Sequence, residues 1–206
     1  MIHIVTAANK HLYHHALDGM YRDRKRVFVD WLKWKVPVVN GIYEIDQFDT
    51  DDAIYLIELD PKSQKHLASI RLLPTMKPNL LGEVFPSLCN ATPPQATDTW
   101  ELTRFCVTPD VPKEDVKRLM NLMWTSVVEF AGANDIAHYS CVTHMALLSV
   151  ILSAGWDTEP LGIPQTFDGG LIGAVMFHIK PDTLSEARRR FGYTGSVFAT
   201  EQSEAA

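Results

Sequence analysis

The chain has 206 residues, 46% hydrophobic and 21% charged, which suits one ordinary globular domain with a proper core or at most two small ones. A formal net charge of −6 leaves no basic footprint for duplex nucleic acid, and three scattered cysteines (Cys89, Cys106, Cys141) fit neither a disulfide framework nor a zinc site. With no run of about 18 apolar residues and no signal-peptide layout in MIHIVTAANK, a reduced, cytoplasmic protein without a membrane span or structural metal is expected.

Residues 2–6 (IHIVT) read as a first strand. A helical pattern from Leu12 to about Leu32 puts Tyr13, Leu17, Met20, Val27, Phe28 and Trp31 on one stripe. The segment 35–52 is too polar and too rich in Pro, Gly and Asp for a core element and reads as a loop. Residues 53–59 and 67–73 read as strands joined by the hairpin-like turn DPKSQK. The proline-rich stretch 74–98 is expected to be irregular, with a short helix at 83–89. A strand at 99–107 follows, then a helix at 113–132 behind Pro109 and Pro112, a strand at 137–142 and a helix at 144–153 closed by AGW. A last strand spans 171–179, and Thr183 with Glu186 forms a capping-box pattern for a helix through Arg190. The small, polar residues 193–206 read as a flexible tail. Strands interspersed with helices, some joined by a hairpin and some by helical crossovers, argue one α/β domain over 1–192 on a mixed sheet.

Charges interrupt these apolar elements. Residues 100–107, WELTRFCV, make a strand of buried-type residues that carries Glu101 and Arg104. Three apart, the two side chains point to opposite faces of a regular strand; a β-bulge would bring both to one side, and the residue types leave this open. At 100° per residue Arg24 falls in the middle of the first helix's apolar stripe, and Arg71 sits inside the apolar strand SIRLLP. In YEIDQFD at 43–49, Glu44, Asp46 and Asp49 alternate with apolar residues. Singly, each has an ordinary reading: a snorkelling arginine or a solvated acidic loop. Together, Arg24, Arg71 and Arg104 with Asp46, Asp49 and Glu101 suit a zwitterionic small ligand, the surplus charges pairing among themselves. Aromatic residues at Phe28, Trp31, Trp34, Phe48, Trp100 and Phe105 are candidates to line the same pocket and to stack on a cation or a base.

In order, these blocks are Arg24-x-x-Val27-Phe28 with Trp34, Tyr43-Glu44-x-Asp46-x-Phe48-Asp49, Ser69-x-Arg71-Leu72-Leu73-Pro74-Thr75 and Trp100-Glu101-x-Thr103-Arg104-Phe105. The series resembles the signature of the acyl-homoserine-lactone synthases, the autoinducer synthases of bacterial quorum sensing, and AGW at 154–156 matches the family's downstream habit. The resemblance implies a mixed, V-shaped sheet flanked by helices, similar to the N-acetyltransferase superfamily. It also implies an acyltransferase without a resident cofactor that joins S-adenosylmethionine to a fatty acyl thioester, carried on acyl carrier protein or on coenzyme A. The products would be the lactone, methylthioadenosine and the free thiol.

By the same resemblance Arg24, Phe28 and Trp34 shape one side of the pocket, and Asp46, Asp49, Arg71, Glu101 and Arg104 form its charged centre. Glu101 is the candidate general base through a water, Arg104 the partner of the substrate carboxylate, and Asp46 the partner of its amine. Backbone N–H groups near Phe105 are candidates for the oxyanion. Cys141 or Thr143, with Met145, is expected in the acyl pocket. The helix HMALLSVILS lacks the basic residues that several carrier-protein-using relatives carry, which keeps an acyl-CoA donor open. Two other classes remain: a different N-acyltransferase, disfavoured because its pyrophosphate-binding Gly loop is missing, and a non-catalytic S-adenosylmethionine or acyl binding module.

Overall fold

Alternation along the central strands decides the layers. The computed structural model describes residues 1–168 and 170–199, and eight strands form its main sheet. The spatial order is β1 (Ile2–Val5), β4 (Ile54–Leu59), β5 (His66–Pro74), β6 (Thr99–Val107), β7 (His138–His144), β10 (Gly170–His178) and β8 (Asp157–Pro160), with β9 (Gln165–Phe167) also paired to β10. A separate two-stranded hairpin joins β2 (Val38–Val39) and β3 (Tyr43–Glu44) inside the expected loop.

On one face Ala68, Ile70 and Leu72 of β5 join Leu102 of β6, Tyr139 of β7 and Val175 and Phe177 of β10 in the largest core cluster. Helix α3 (Lys113–Ala133) covers this face with Leu119, Met123, Val127 and Phe130, and each such side chain contributes about 1.5–3 kcal/mol on burial. Leu148 and Ile151 of α4 (Met145–Leu152) and Leu184 and Phe191 of α5 (Thr183–Phe191) pack against the same cluster. The opposite face carries α1 (His14–Arg24), whose Ala16 and Met20 meet Tyr55, Ile57 and Leu73. The short helix α2 (Leu80–Glu83) also lies there.

β6 and β7 form the sheet's parallel pair, and their register holds for four positions, from Thr99↔His138 to Leu102↔Cys141. Both strands then run on, to Val107 and His144, without pairing each other. The sheet opens there into a V.

The first helix departs most from expectation. It divides into a 3-10 turn (Lys10–Leu12), α1 and a π-helical stretch (Lys25–Trp31). The wider π turn abandons the 100° repeat after Arg24, so Val27 and Phe28 stay buried while Trp31 leaves the stripe and is 72% exposed. The helix expected at 83–89 is α2 plus a 3-10 turn at Pro86–Leu88. No capping box opens α5: Thr183 is its first residue, Asp182 precedes it, and the Thr183 hydroxyl accepts the Lys180 N–H at 2.8 Å. The tail also needs correction within the described residues. Val197 is buried, Ile2 donates to the Val197 carbonyl at 2.8 Å, and Ala199 donates back to Ile2 at 2.9 Å. Residues 200–206 of that expected tail lie outside the described residues.

Candidate active site

A β-bulge answers the question that Glu101 and Arg104 raise. Ser69 pairs with Cys106 but Arg71 pairs with Thr103, so Ile70 alone stands opposite both Arg104 and Phe105. Arg104 takes the left-handed conformation, φ 53°, which costs a non-glycine residue about 1–3 kcal/mol and needs neighbours that hold it. Phase along the strand shifts by one. Leu102 and Phe105 both face α3, and Glu101, Thr103 and Arg104 all face the side of α1 and α2.

On that side three guanidinium groups meet three carboxylates. Arg24 grips Asp49 bidentately at 2.8 and 2.8 Å and reaches Glu44 through Nε at 2.6 Å. Arg71 grips Asp46 bidentately at 2.6 and 2.9 Å, contacts Asp49 at 2.8 Å and gives its Nε–H to the Thr103 hydroxyl at 3.0 Å. Arg104 spans Glu44 at 3.0 Å and Asp46 at 2.6 Å. Tyr55 donates to Asp49 at 2.8 Å. Burial alone would raise the Asp49 pKa, but the charges of Arg24 and Arg71 outweigh it and hold the carboxyl well below its usual range. Bidentate pairing of this kind is what buried charges require.

Glu101 is different. It is fully buried, and its oxygens accept the N–H groups of Leu80 at 2.7 Å and Leu81 at 2.8 Å in place of a guanidinium. Burial pushes its pKa up to about 7, against the pull of those N–H groups and of Arg71 and Arg104. A carboxyl poised there can both take and give up a proton near neutrality.

An aromatic column crosses the V. The Arg104 guanidinium lies 5.7 Å from the Phe28 ring, Phe28 stacks on Trp34 at 4.9 Å, and Trp34 stacks on His144 at 5.4 Å. The stretch 25–34 thus straps the β6 arm to the β7 arm. Open clefts lie elsewhere, one of about 650 Å³ beside Gly155, Lys180 and Arg190 and another of about 340 Å³ beside Thr75, Asn79 and Pro93.

The expected residues therefore fall into two groups. Arg24, Asp46, Asp49, Arg71, Glu101 and Arg104 come together, with Phe28 and Trp34 over them. Phe105 does not join them: its ring stacks on Trp124 at 5.0 Å on the opposite face, and only its backbone stays near the bulge. Cys141 and Thr143 alternate onto that opposite face too, and Met145 lies against Gly173 of β10. Glu44, singled out with its acidic neighbours but not among the expected cluster, is a further member: fully buried, it ties Arg24 to Arg104. Its spacing of two from Asp46 was the available signal. A second polar chain lies under α1, where His66 bonds Asp23 at 2.8 Å and Ser69 at 2.9 Å.

The model of the autoinducer synthase family matches residues 8–186. An isovaleryl-homoserine lactone synthase of Bradyrhizobium diazoefficiens is 31% identical, covering 96% of this chain and 88% of that one. An acyl-homoserine-lactone synthase of Ralstonia solanacearum is 40% identical over 79% and 81% of the two chains. Among solved structures, the CoA-dependent acyl-homoserine lactone synthase MesI superposes with a TM-score of 0.85 at 31% identity, over 97% of this chain and 99% of that one. The CoA-dependent synthase BjaI, with SAM and isopentyl-CoA, gives 0.87 at 28% identity over 100% and 97%. A protein from Lactobacillus plantarum, at a TM-score of 0.57 and 16% identity over 87% and 99% of the two chains, shares the fold. With its charged centre assembled on the splayed strands of such a fold, the chain belongs to the autoinducer synthase family.

Proposed function

We propose that the cluster beside Glu101 binds S-adenosylmethionine and transfers to its amine an acyl group from coenzyme A, with Glu101 as the general base of acyl-homoserine lactone synthesis. The observation that carries this reading is the fully buried Glu101 carboxyl, held by two backbone N–H groups one residue short of where β6 and β7 part. Arg104 has the most exposed side chain of the three guanidinium groups, 7% against 0% for Arg24 and Arg71, and takes the substrate carboxylate. Asp46, 2.6 Å from Arg104, takes the amine; Asp49 and Arg71 hold both in place. Phe28 and Trp34, already stacked with Arg104 and His144 in one column, wall the pocket beside the sulfonium and adenine.

Glu101 removes a proton from the ammonium. The amine attacks the acyl carbon, the N–C bond forms, the C–S bond breaks, and the sulfur leaves as the thiol with the second proton lost from the nitrogen. Backbone N–H groups along the bulge at Arg104 and Phe105 steady the oxyanion. The substrate carboxylate then attacks the carbon next to the sulfonium, closing the lactone and releasing methylthioadenosine. The open V lets the acyl chain pass between β6 and β7 to the far face, where Cys141, Thr143 and Met145 line its path.

Coenzyme A is favoured over acyl carrier protein because α4 carries no Lys or Arg, the chain is net acidic, and the similar MesI and BjaI are CoA-dependent. A cytoplasmic location and a single domain that takes in residues 197–199 accord with this reading. Incubation with S-adenosylmethionine and matched panels of acyl-CoA and acyl-carrier-protein thioesters, read by thiol release and lactone mass, tests it. Lactone from acyl-CoA is expected. Turnover with the carrier protein alone would overturn the choice of donor.

A further inference from the structure

We propose that Ser140 is a positioning residue for Glu101: its hydroxyl follows the carboxyl through both protonation states during acyl transfer. This rests on Glu101 being the base. Ser140 stands opposite Glu101 in the β6–β7 register, at the last but one paired position before the strands part. Paired residues share a face, and the flanking residues confirm which one. Tyr139 and Cys141 belong to the core under α3, whereas Val142 packs with Leu81, whose N–H binds Glu101. Ser140 is 1% exposed, and its Oγ has no protein partner. Across β7 its other registered neighbour is Met176, which offers no strong hydrogen-bonding group. A buried hydroxyl left alone costs about 1–3 kcal/mol, so its partner must come from the Glu101 side.

Proton bookkeeping makes that partner necessary. The groups bound to or facing Glu101 are the Leu80 and Leu81 N–H groups, with Arg71 and Arg104 beyond, and all of them only donate; the Cys141 thiol, close enough to feel the Glu101 charge, belongs to the core on the other face. They suit the carboxylate. Once Glu101 has taken the ammonium proton, its new O–H needs an acceptor that none of them supplies. The Thr103 hydroxyl already accepts from Arg71. A serine hydroxyl donates to the carboxylate and accepts from the acid. Adjacent strands lie about 4.8 Å apart, so one χ1 rotation or one bridging water spans the gap.

The test compares Ser140→Val with Ser140→Thr, which match in shape and differ in the hydroxyl. The readouts are kcat, KM and the pH profile with S-adenosylmethionine and acyl-CoA. Ser140→Val should lower kcat about tenfold, the loss of one hydrogen bond worth about 1.4 kcal/mol, with KM for S-adenosylmethionine within about twofold. Its acidic limb should move to higher pH, because the lost donor weighs more on the charged form. Ser140→Thr should restore both. Wild-type kcat and an unmoved limb in Ser140→Val would overturn the proposal; if Val is not accommodated, Ser140→Ala gives the same contrast. Glu101→Gln run alongside separates the two ideas. If it turns over, Glu101 is not the base and both readings fall; if it is inactive while Ser140→Val is normal, only Ser140 falls.

Discussion

The arginine–carboxylate cluster and the Asp23–His66–Ser69 chain are both buried on the same face of the sheet, and Ser69 and Arg71 are two residues apart on β5. The chain has the acid–imidazole–hydroxyl order that hydrolases use for nucleophilic attack. Its Ser69 is 1% exposed, and β5 is paired on both sides of it, so the hydroxyl meets only its own protein. The cluster lies instead where one strand bulges and the next turns away, with one guanidinium partly open. Geometry among side chains makes a candidate; an opening in the backbone beside them makes a site.

Breaking the open cluster should hurt catalysis most. Glu101→Gln should lower turnover about 10²–10⁴-fold while far-UV dichroism stays native, and near-normal turnover would remove Glu101 as base. Arg71→Met leaves Asp46 and Asp49 short of a buried partner, so denaturant unfolding should show a loss on the order of 3–5 kcal/mol. The pH dependence sharpens the contrast further. With Glu101 ionised only above about 7, kcat should fall about tenfold per unit below that value, a limb that Glu101→Gln cannot show. Stability runs the other way. A carboxyl whose folded pKa lies above its unfolded one stabilises fully at low pH and loses that contribution as pH rises through about 7; titrating unfolding of wild type against Glu101→Gln measures it. Ser69→Ala should do least, costing about 1 kcal/mol and leaving turnover within about twofold, and a large loss of turnover would make the Asp23–His66–Ser69 chain part of the machinery.

Much of this was legible in the residues because burial imposes a pattern. Helix α3 announced itself through its 3.6 period, and the β4–β5 hairpin through apolar runs around a polar turn. The charged centre was visible because arginines do not sit idly in apolar strands. The rest lacked a signal for physical reasons. β8 and β9 are almost wholly exposed and carry no alternation. The bulge rests on an arginine at positive φ, where a glycine would have marked the bend, so neither the shared face of Glu101 and Arg104 nor the outward ring of Phe105 followed from types alone. Glu44 hid among acidic neighbours in a segment that read as solvated loop, and the π turn hid inside an ordinary helical stripe.

The docking of residues 197–199 on Ile2 has a consequence for how the molecule behaves in a crowd. β1 ends the main sheet, and an uncovered end strand is a template for a strand of another copy. By bonding Ile2 from outside, Val197 and Ala199 occupy the donor and acceptor that such a stranger would need first. Shortening the chain to Gly192 would therefore leave the V and its charges in place and bare the sheet's flank, making self-association the first property to change.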